Sequence, residues 1–197
     1  MARPKLHSTD TMLDAARDLL LADGALAATV EAISAASGAP TGSIYHRFGS
    51  RDQLIARLWL RSVYRSQASF LVALEDDDPY RAAVGAATTI IEFCEEHQDD
   101  ARLLMAFRRT DLTRTIPEGP LAEELAEVNR PVARALAALA HRLFGRRSQA
   151  ALDRTLFCVF DMPYGVARRY LAEERPIPRG HKADLATAIE AVLRRSP

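Results

Sequence analysis

At 197 residues the chain can hold one or two domains with a sizeable core, and its 26 Lys and Arg balance 26 Asp and Glu to a formal net charge of zero. That balance argues against a globally basic nucleic-acid binder. The apolar runs, such as Leu19-Leu20-Leu21-Ala22, fall far short of the roughly 20 residues that span a bilayer, so no membrane segment is expected. Met1-Ala2-Arg3-Pro4-Lys5 leads into no signal-type apolar region, and the expected location is the cytoplasm.

The 2 cysteines, Cys94 and Cys158, lie in apolar stretches and read as buried thiols. The 5 histidines are scattered without zinc-like spacing. His97 among Glu95, Glu96, Asp99 and Asp100 reads as a solvated helix end, and neither a metal nor a cofactor is expected. Charge is nevertheless unevenly spread. From Thr41 to Ser66 the arginines 47, 51, 57, 61 and 65 face one acid, Asp52, whereas Glu75 to Asp100 carries nine acids against Arg81 alone. A locally basic end can meet a polyanion while the rest of the chain repels it; two ordinary solvated helix faces are the other reading.

In chain order, residues 1–8 form a polar arm with Arg3, Lys5 and His7. From Ser8 or Thr9, Met12, Leu13, Ala16, Leu19 and Leu20 recur at helical spacing until Gly24. Thr29 precedes a second short helix, Val30 to Ser37, with Glu31 in its first turn and Gly38 as its stop. A third helix of five or six residues starts at Thr41, with Ile44 and Phe48 on its inner side. After Gly49, Ser50 and Gln53 spell an S-x-x-Q capping box for a long helix that runs almost to Glu75 and spans about 35 Å at ~1.5 Å per residue.

Pro79 can open the next helix, through Val84, Ile90, Ile91 and Cys94, and a shorter one covers roughly 101–109. The segment 113–120, with Pro117, Gly119 and Pro120, reads as a loop. Leu121 to Phe144 reads as one helix kinked at Pro131, and Ser148 to Leu171 as another kinked at Pro163. A rigid linker at 175–180 leads to a last helix from Lys182 to Arg195. No stretch shows sustained strand alternation, so the expected class is all-α in nine helices.

Two short helices around Gly38, preceded by a packing helix, describe a helix-turn-helix. The fuller spelling is Ala15-Ala16, Leu19-Leu20, Gly24, Thr29-Val30, Ile33, Gly38, Gly42, Ile44-Tyr45-His46, Phe48, Ser50-Arg51 and Leu54. It resembles the N-terminal domain of the TetR/AcrR family of bacterial transcriptional repressors over about a quarter of the chain.

The resemblance implies a three-helix DNA-binding domain over 1–50 and a larger helical ligand-binding and dimerisation domain over 51–197. It places Thr29 at a phosphate through its hydroxyl and amide, and Thr41, Gly42 and Ser43 in the major groove. Tyr45 and His46 would reach the backbone and groove edge. Arg51 stands where the family usually has a phosphate-binding lysine, and Arg47 is a further contact. The other reading of Tyr45 is a core aromatic, as Ile44 and Phe48 are in any case.

Pro40 departs from the family's frequent capping serine, so the cap could pass to Thr41, and Ser34 and Ser37 replace small alanines without expected effect. No Asn, Gln, Lys or Arg lies between 39 and 46, so bidentate base contacts are not apparent. Thr41, Ser43, Arg47, thymine methyls, DNA shape or the arm residues Arg3 and Lys5 in a minor groove would then carry sequence preference.

For the second domain the resemblance implies a homodimer through 148–173 and 182–195, a near-palindromic double-stranded operator and a small-molecule effector. Large apolar residues at helical spacing equally suit a monomer core. Ligand-lining candidates expected to face inward are Trp59, Phe93, Met105, Phe107, Phe157, Phe160, Met162 and Tyr164, with Arg168 as a partner for a carboxylate. Core packing is the other role open to each of the apolar candidates, and pairing with nearby acids is the other role open to Arg168. The function expected is a ligand-responsive repressor; the alternative is an all-helical small-molecule-binding or scaffold protein without sequence-specific DNA binding. No nucleophile–base or paired-carboxylate arrangement points to an enzyme.

Overall fold

The computed structural model describes residues 8–108, 110, 116 and 118–195, and among these residues it is helical with no strand. Residues 1–7 of the arm and 113–115 and 117 of the expected loop lie outside the described residues. The helices are α1 (Thr9–Asp23), α2 (Val30–Ser37), α3 (Thr41–Phe48), α4 (Arg51–Ala73), α5 (Pro79–Glu96), α6 (Gln98–Ala106), α7 (Pro120–Glu127), α8 (Arg130–Phe144) and α9 (Gln149–Leu156). A π-helical stretch, Phe157–Asp161, joins α9 to α10 (Met162–Ala172), and α11 (Gly180–Leu193) closes the chain.

Two compact units form. The first comprises residues up to Val63 together with Arg102–Glu127, and the second comprises Tyr64–Ala101 and Val128 onward. In the first, Met12, Leu13, Ala16 and Leu20 of α1 are buried with Ile33 of α2, Ile44 and Phe48 of α3, and Leu54 and Leu58 of α4. These are the positions at helical spacing in the sequence, and their burial leaves the opposite faces polar. Caps set the boundaries. Ser8 and Thr29 each accept the amide three residues on, from Thr11 and Ala32 at 3.0 and 3.1 Å. Gly38, at φ 70°, ends α2 in the left-handed region, where a Cβ would be strained.

In the second unit α5 is the central helix, touching α8, α10, α11 and the π stretch. Its buried positions Ala82, Ala83, Ala86 and Ala87 make it thin enough for several neighbours to approach closely. Asp78 caps it, accepting the amides of Tyr80 at 2.8 Å and Arg81 at 3.0 Å. Lys182 of α11 pairs with Glu95 at 2.7 Å and Glu92 at 3.7 Å.

Both expected proline kinks are corrected. At Pro131 the chain makes two helices: a turn at 128–129 separates α7 from α8, and the proline falls in the first turn of α8, where its missing N–H has no intrahelical partner to lose. At Pro163 the preceding turn widens into the π stretch. The amide of Met162 reaches back five residues to the carbonyl of Phe157, and Pro163 enters the first turn of α10. The third helix is eight residues rather than five or six, α6 begins at Gln98 rather than 101, and α11 begins at Gly180 rather than 182.

Candidate nucleic-acid interface

α2 and α3 are joined by a turn that two serines tie. Ser34 Oγ donates to the carbonyl of Ala39 at 2.7 Å, and Ser37 Oγ donates to the carbonyl of Ile33 at 2.6 Å. The amide of Ala39 donates back to Ser37 Oγ at 3.3 Å, so Ala39 is held at both its polar groups. The two serines are therefore not neutral replacements for alanine. The sequence signal was present: a helical serine four residues after a carbonyl, near the helix end, bonds backwards readily.

α3 divides cleanly by face. Ile44 and Phe48, four apart, are buried, whereas Thr41, Gly42, Ser43, Tyr45 and His46 are exposed, Tyr45 to 50%. Tyr45 is thus an outward phenol rather than a core aromatic. The helix carries no acid, and His46 and Arg47 lie in its last turn. Pro40 is the N-cap residue with no side-chain cap bond; its carbonyl accepts the amides of Ser43 at 2.9 Å and Ile44 at 3.3 Å. The cap does not pass to Thr41. The positive end of the helix thus meets no capping carboxylate or hydroxyl beside Thr41 and Gly42, a setting suited to an anion.

Gly42 sharpens the geometry. A Cβ built there would meet no atom within 4 Å, so nothing inside the protein requires a glycine. Gly49 is the opposite case: at φ 80° it turns the chain out of α3, and a Cβ would strike Gln53 Oε1 at 2.7 Å. Ser50 Oγ accepts the amide of Gln53 at 3.2 Å, the hydroxyl half of the expected capping box.

Arg51 is turned into the protein. Its Nε donates to the carbonyl of Ala28 at 2.7 Å, Nη2 donates to the carbonyl of Ala25, and Nη1 pairs with Asp52 at 3.0 Å. The guanidinium fastens the α1–α2 connection to the start of α4, an anchoring role that the sequence did not suggest beside the expected one at a phosphate. Thr29 is partly tied down as well, since its amide donates to the carbonyl of Ala27 at 2.8 Å and its hydroxyl oxygen caps α2. The hydroxyl proton is what it can still offer.

The arginine stripe is largely neutralised by acids distant in sequence. Arg57 pairs with Glu124, Arg61 with Asp10 at 3.0 Å and Asp14 at 2.7 Å, and Arg65 with the buried Asp100 at 2.8 Å. Arg47 of α3 is half-buried, with Nη1 3.8 Å from Met12 Sδ. The run of five arginines therefore overstates the positive field, and the exposed surface of α3 is one of hydroxyls, a phenol and an imidazole.

The ligand-lining candidates divide between the units. Trp59, Met105 and Phe107 belong to the first, where the buried Trp59 donates from Nε1 to the carbonyl of Phe107 at 3.1 Å. Phe93 and Met162 of the second are half-buried, and Arg168 is exposed. Phe157, Phe160 and Tyr164 are exposed to 48, 44 and 40% rather than directed inward. The π stretch advances fewer degrees per residue than an α-helix, so it resets the helical phase and turns this stripe outward. Phe160 meets Phe70 edge-on at 6.4 Å.

A buried hydrophobic face, a serine-tied turn and a polar outward helix define a helix-turn-helix. Residues 12–58 match the family model of the bacterial regulatory proteins of the tetR family. The whole chain is similar in fold to a transcriptional regulator from Rhodococcus sp. Rha1, at 21% identity over 95% of this chain and 96% of that one, with a TM-score of 0.69. It is also similar to a TetR family transcriptional regulator from Thermus thermophilus, at 16% identity over 93% and 97%, TM-score 0.69. A third similar structure is the ketosteroid transcriptional regulator of Mycobacterium tuberculosis, at 18% identity over 94% and 92%, TM-score 0.69. No curated protein matches the chain. The match covers the three N-terminal helices and the start of α4, and the chain as a whole has the fold of TetR-family transcriptional regulators.

Proposed function

We propose that the protein is a cytoplasmic homodimeric repressor that binds a near-palindromic operator through α3 and leaves it when a small-molecule effector binds the second unit. The observation that carries this reading is the α3 face, where Thr41, Gly42, Ser43, Tyr45 and His46 are all exposed within a TetR-family domain. The outward stripe Phe157, Phe160 and Tyr164 supports a two-fold interface in which the same patch meets its twin. Two-fold symmetry sets the recognition helices about 34–36 Å apart, one helical turn of DNA. An effector that prefers one spacing of the pair over the other then changes operator affinity.

Among the α3 residues, Tyr45 and His46 are assigned to phosphate and groove edge, Thr41 and Ser43 to base edges and thymine methyls, and Arg47 to a flanking phosphate. Arg51, which also anchors the α1–α2 connection, is assigned to a phosphate at the start of α4. Phe93, Met162 and Arg168 of the second unit remain the candidates for effector contact. The ketosteroid in the name of one similar structure belongs to that protein.

The alternative, a helical binding protein without sequence-specific DNA recognition, draws on the pairing of Arg57, Arg61 and Arg65 with acids and on the inward Arg51. Selective footprinting over the DNA flanking the protein's own gene separates the two. Protection of one near-palindrome by wild type, lost in Tyr45→Ala/His46→Ala, supports the repressor. Equal affinity for scrambled DNA sinks it.

A further inference from the structure

The second unit holds a groove of about 570 Å³ where the end of α8 passes into the start of α9. Its wall carries Arg134, His141, Arg142, Arg146 and Arg147, and among the described residues no Asp or Glu lines it. In a chain with as many acids as bases, four arginines and a histidine around one cavity concentrate positive charge there, with the Asp76 carboxylate near Arg142 offsetting part of it from outside the lining. Arg134 and His141 are seven apart on α8, two turns along one face. Arg142 is fixed: its guanidinium donates to the carbonyls of Leu74 at 3.1 Å and Asp77 at 2.9 Å, and also to that of Asp76. The positive end of α9, capped at Ala151 by Ser148 Oγ at 3.2 Å, opens on the same groove. Three alanines of α8 and Leu152 supply an apolar floor.

We infer that this groove binds a small organic polyphosphate, a di- or triphosphate ester whose organic part lies on the alanine floor. A single carboxylate would offset one positive charge and leave the other cations facing one another, whereas a polyphosphate meets several guanidinium forks together. The volume falls in the range of small-molecule sites. The site uses none of the α3 residues, so it stands or falls separately from operator binding.

The test is calorimetric titration of the full-length protein with ATP and, in parallel, inorganic tripolyphosphate, at about 0.15 M salt so that diffuse attraction is screened. Both probes are expected to bind, ATP more tightly. Arg134→Ala/Arg147→Ala should weaken ATP at least tenfold with an unchanged circular dichroism spectrum, while Arg179→Ala, outside the groove, should bind as wild type. Absence of binding, full affinity in the double variant, or an equal loss in Arg179→Ala overturns the site. Tripolyphosphate binding with no gain for ATP overturns the role given to the floor.

Discussion

Arg51 Nε lies 2.7 Å from the carbonyl oxygen of Ala28, so the guanidinium at the start of α4 holds the connection that leads into α2. Hydrogen bonds from charged groups contribute roughly 1.5–3 kcal/mol each, and this side chain also reaches Ala25 and Asp52. Arg51→Ala should lower the stability of the first unit by roughly 2–3 kcal/mol, read as a lower chemical-denaturation midpoint. Arg51→Lys should recover only part of it, because a single ammonium cannot span both carbonyls. Unchanged stability in Arg51→Ala would leave the residue only its place among the candidate phosphate contacts.

Tyr45 and His46 give the opposite signature. Both are exposed on α3, so Tyr45→Phe and His46→Ala should leave thermal stability within about 0.5 kcal/mol of wild type. Operator affinity should fall by roughly 1.5–3 kcal/mol for Tyr45→Phe, the scale of one hydrogen bond to a charged group. A neutral phenol releases no counterion, so the slope of log affinity against log salt should be unchanged in Tyr45→Phe and shallower by about one in Arg47→Ala. Parallel titrations at several salt concentrations would show whether the two variants separate in this way.

Much of this was legible in the chain because capping chemistry is local. Ser8, Thr29, Gly24, Gly38 and Gly145 bound the helices where the spacing of apolar residues had put the ends. The fate of the arginines was not legible, since Arg61 finds Asp10 across 51 positions and Arg57 finds Glu124 across 67. Only the folded chain tells which charges cancel. Pro131 and Pro163 were ambiguous for another reason: a proline in a continuous apolar pattern fits a kink or a helix start, and the choice depends on whether the preceding residues unwind. The phase shift across the π stretch then hid the outward direction of Phe157, Phe160 and Tyr164.

The two cysteines should be inert in the native protein. Cys94 and Cys158 are buried, and loss of hydration pushes each thiol up to about 11. The thiolate is the reactive form, so at pH 8 alkylation should be slower than for an ordinary thiol by at least about a hundredfold, before steric exclusion is counted. Mass spectrometry after brief iodoacetamide treatment should find neither modified until denaturant is added. Rapid native labelling of either would contradict its burial.

The turn between α4 and α5 carries a pH dependence of known sign. Hydrogen bonds from Arg81 hold the Asp76 carboxyl below its ordinary value of 3.8, and backbone amides of Arg81 and Tyr80 do the same for Asp78. A depressed carboxyl stabilises the fold above its unfolded value and loses that contribution as pH falls through the folded one. The melting temperature of Asp76→Asn should therefore lie below that of wild type at neutral pH, with the gap closing below about pH 3.8. A gap that widens in acid would reverse the sign.

Gly42 separates fold from function most directly. It lies in the first turn of an exposed helix face, and a Cβ there would touch no atom within 4 Å. Glycine in a helix costs roughly 0.5–1 kcal/mol relative to alanine through lost backbone entropy, so Gly42→Ala should raise the melting temperature slightly. The same methyl group would stand between α3 and anything pressed against it. If the helix start is seated on a groove floor or a phosphate, Gly42→Ala should weaken operator binding several-fold while the protein becomes more stable. A more stable variant with undiminished affinity would move the contact surface away from the start of α3, toward Tyr45 and His46 alone.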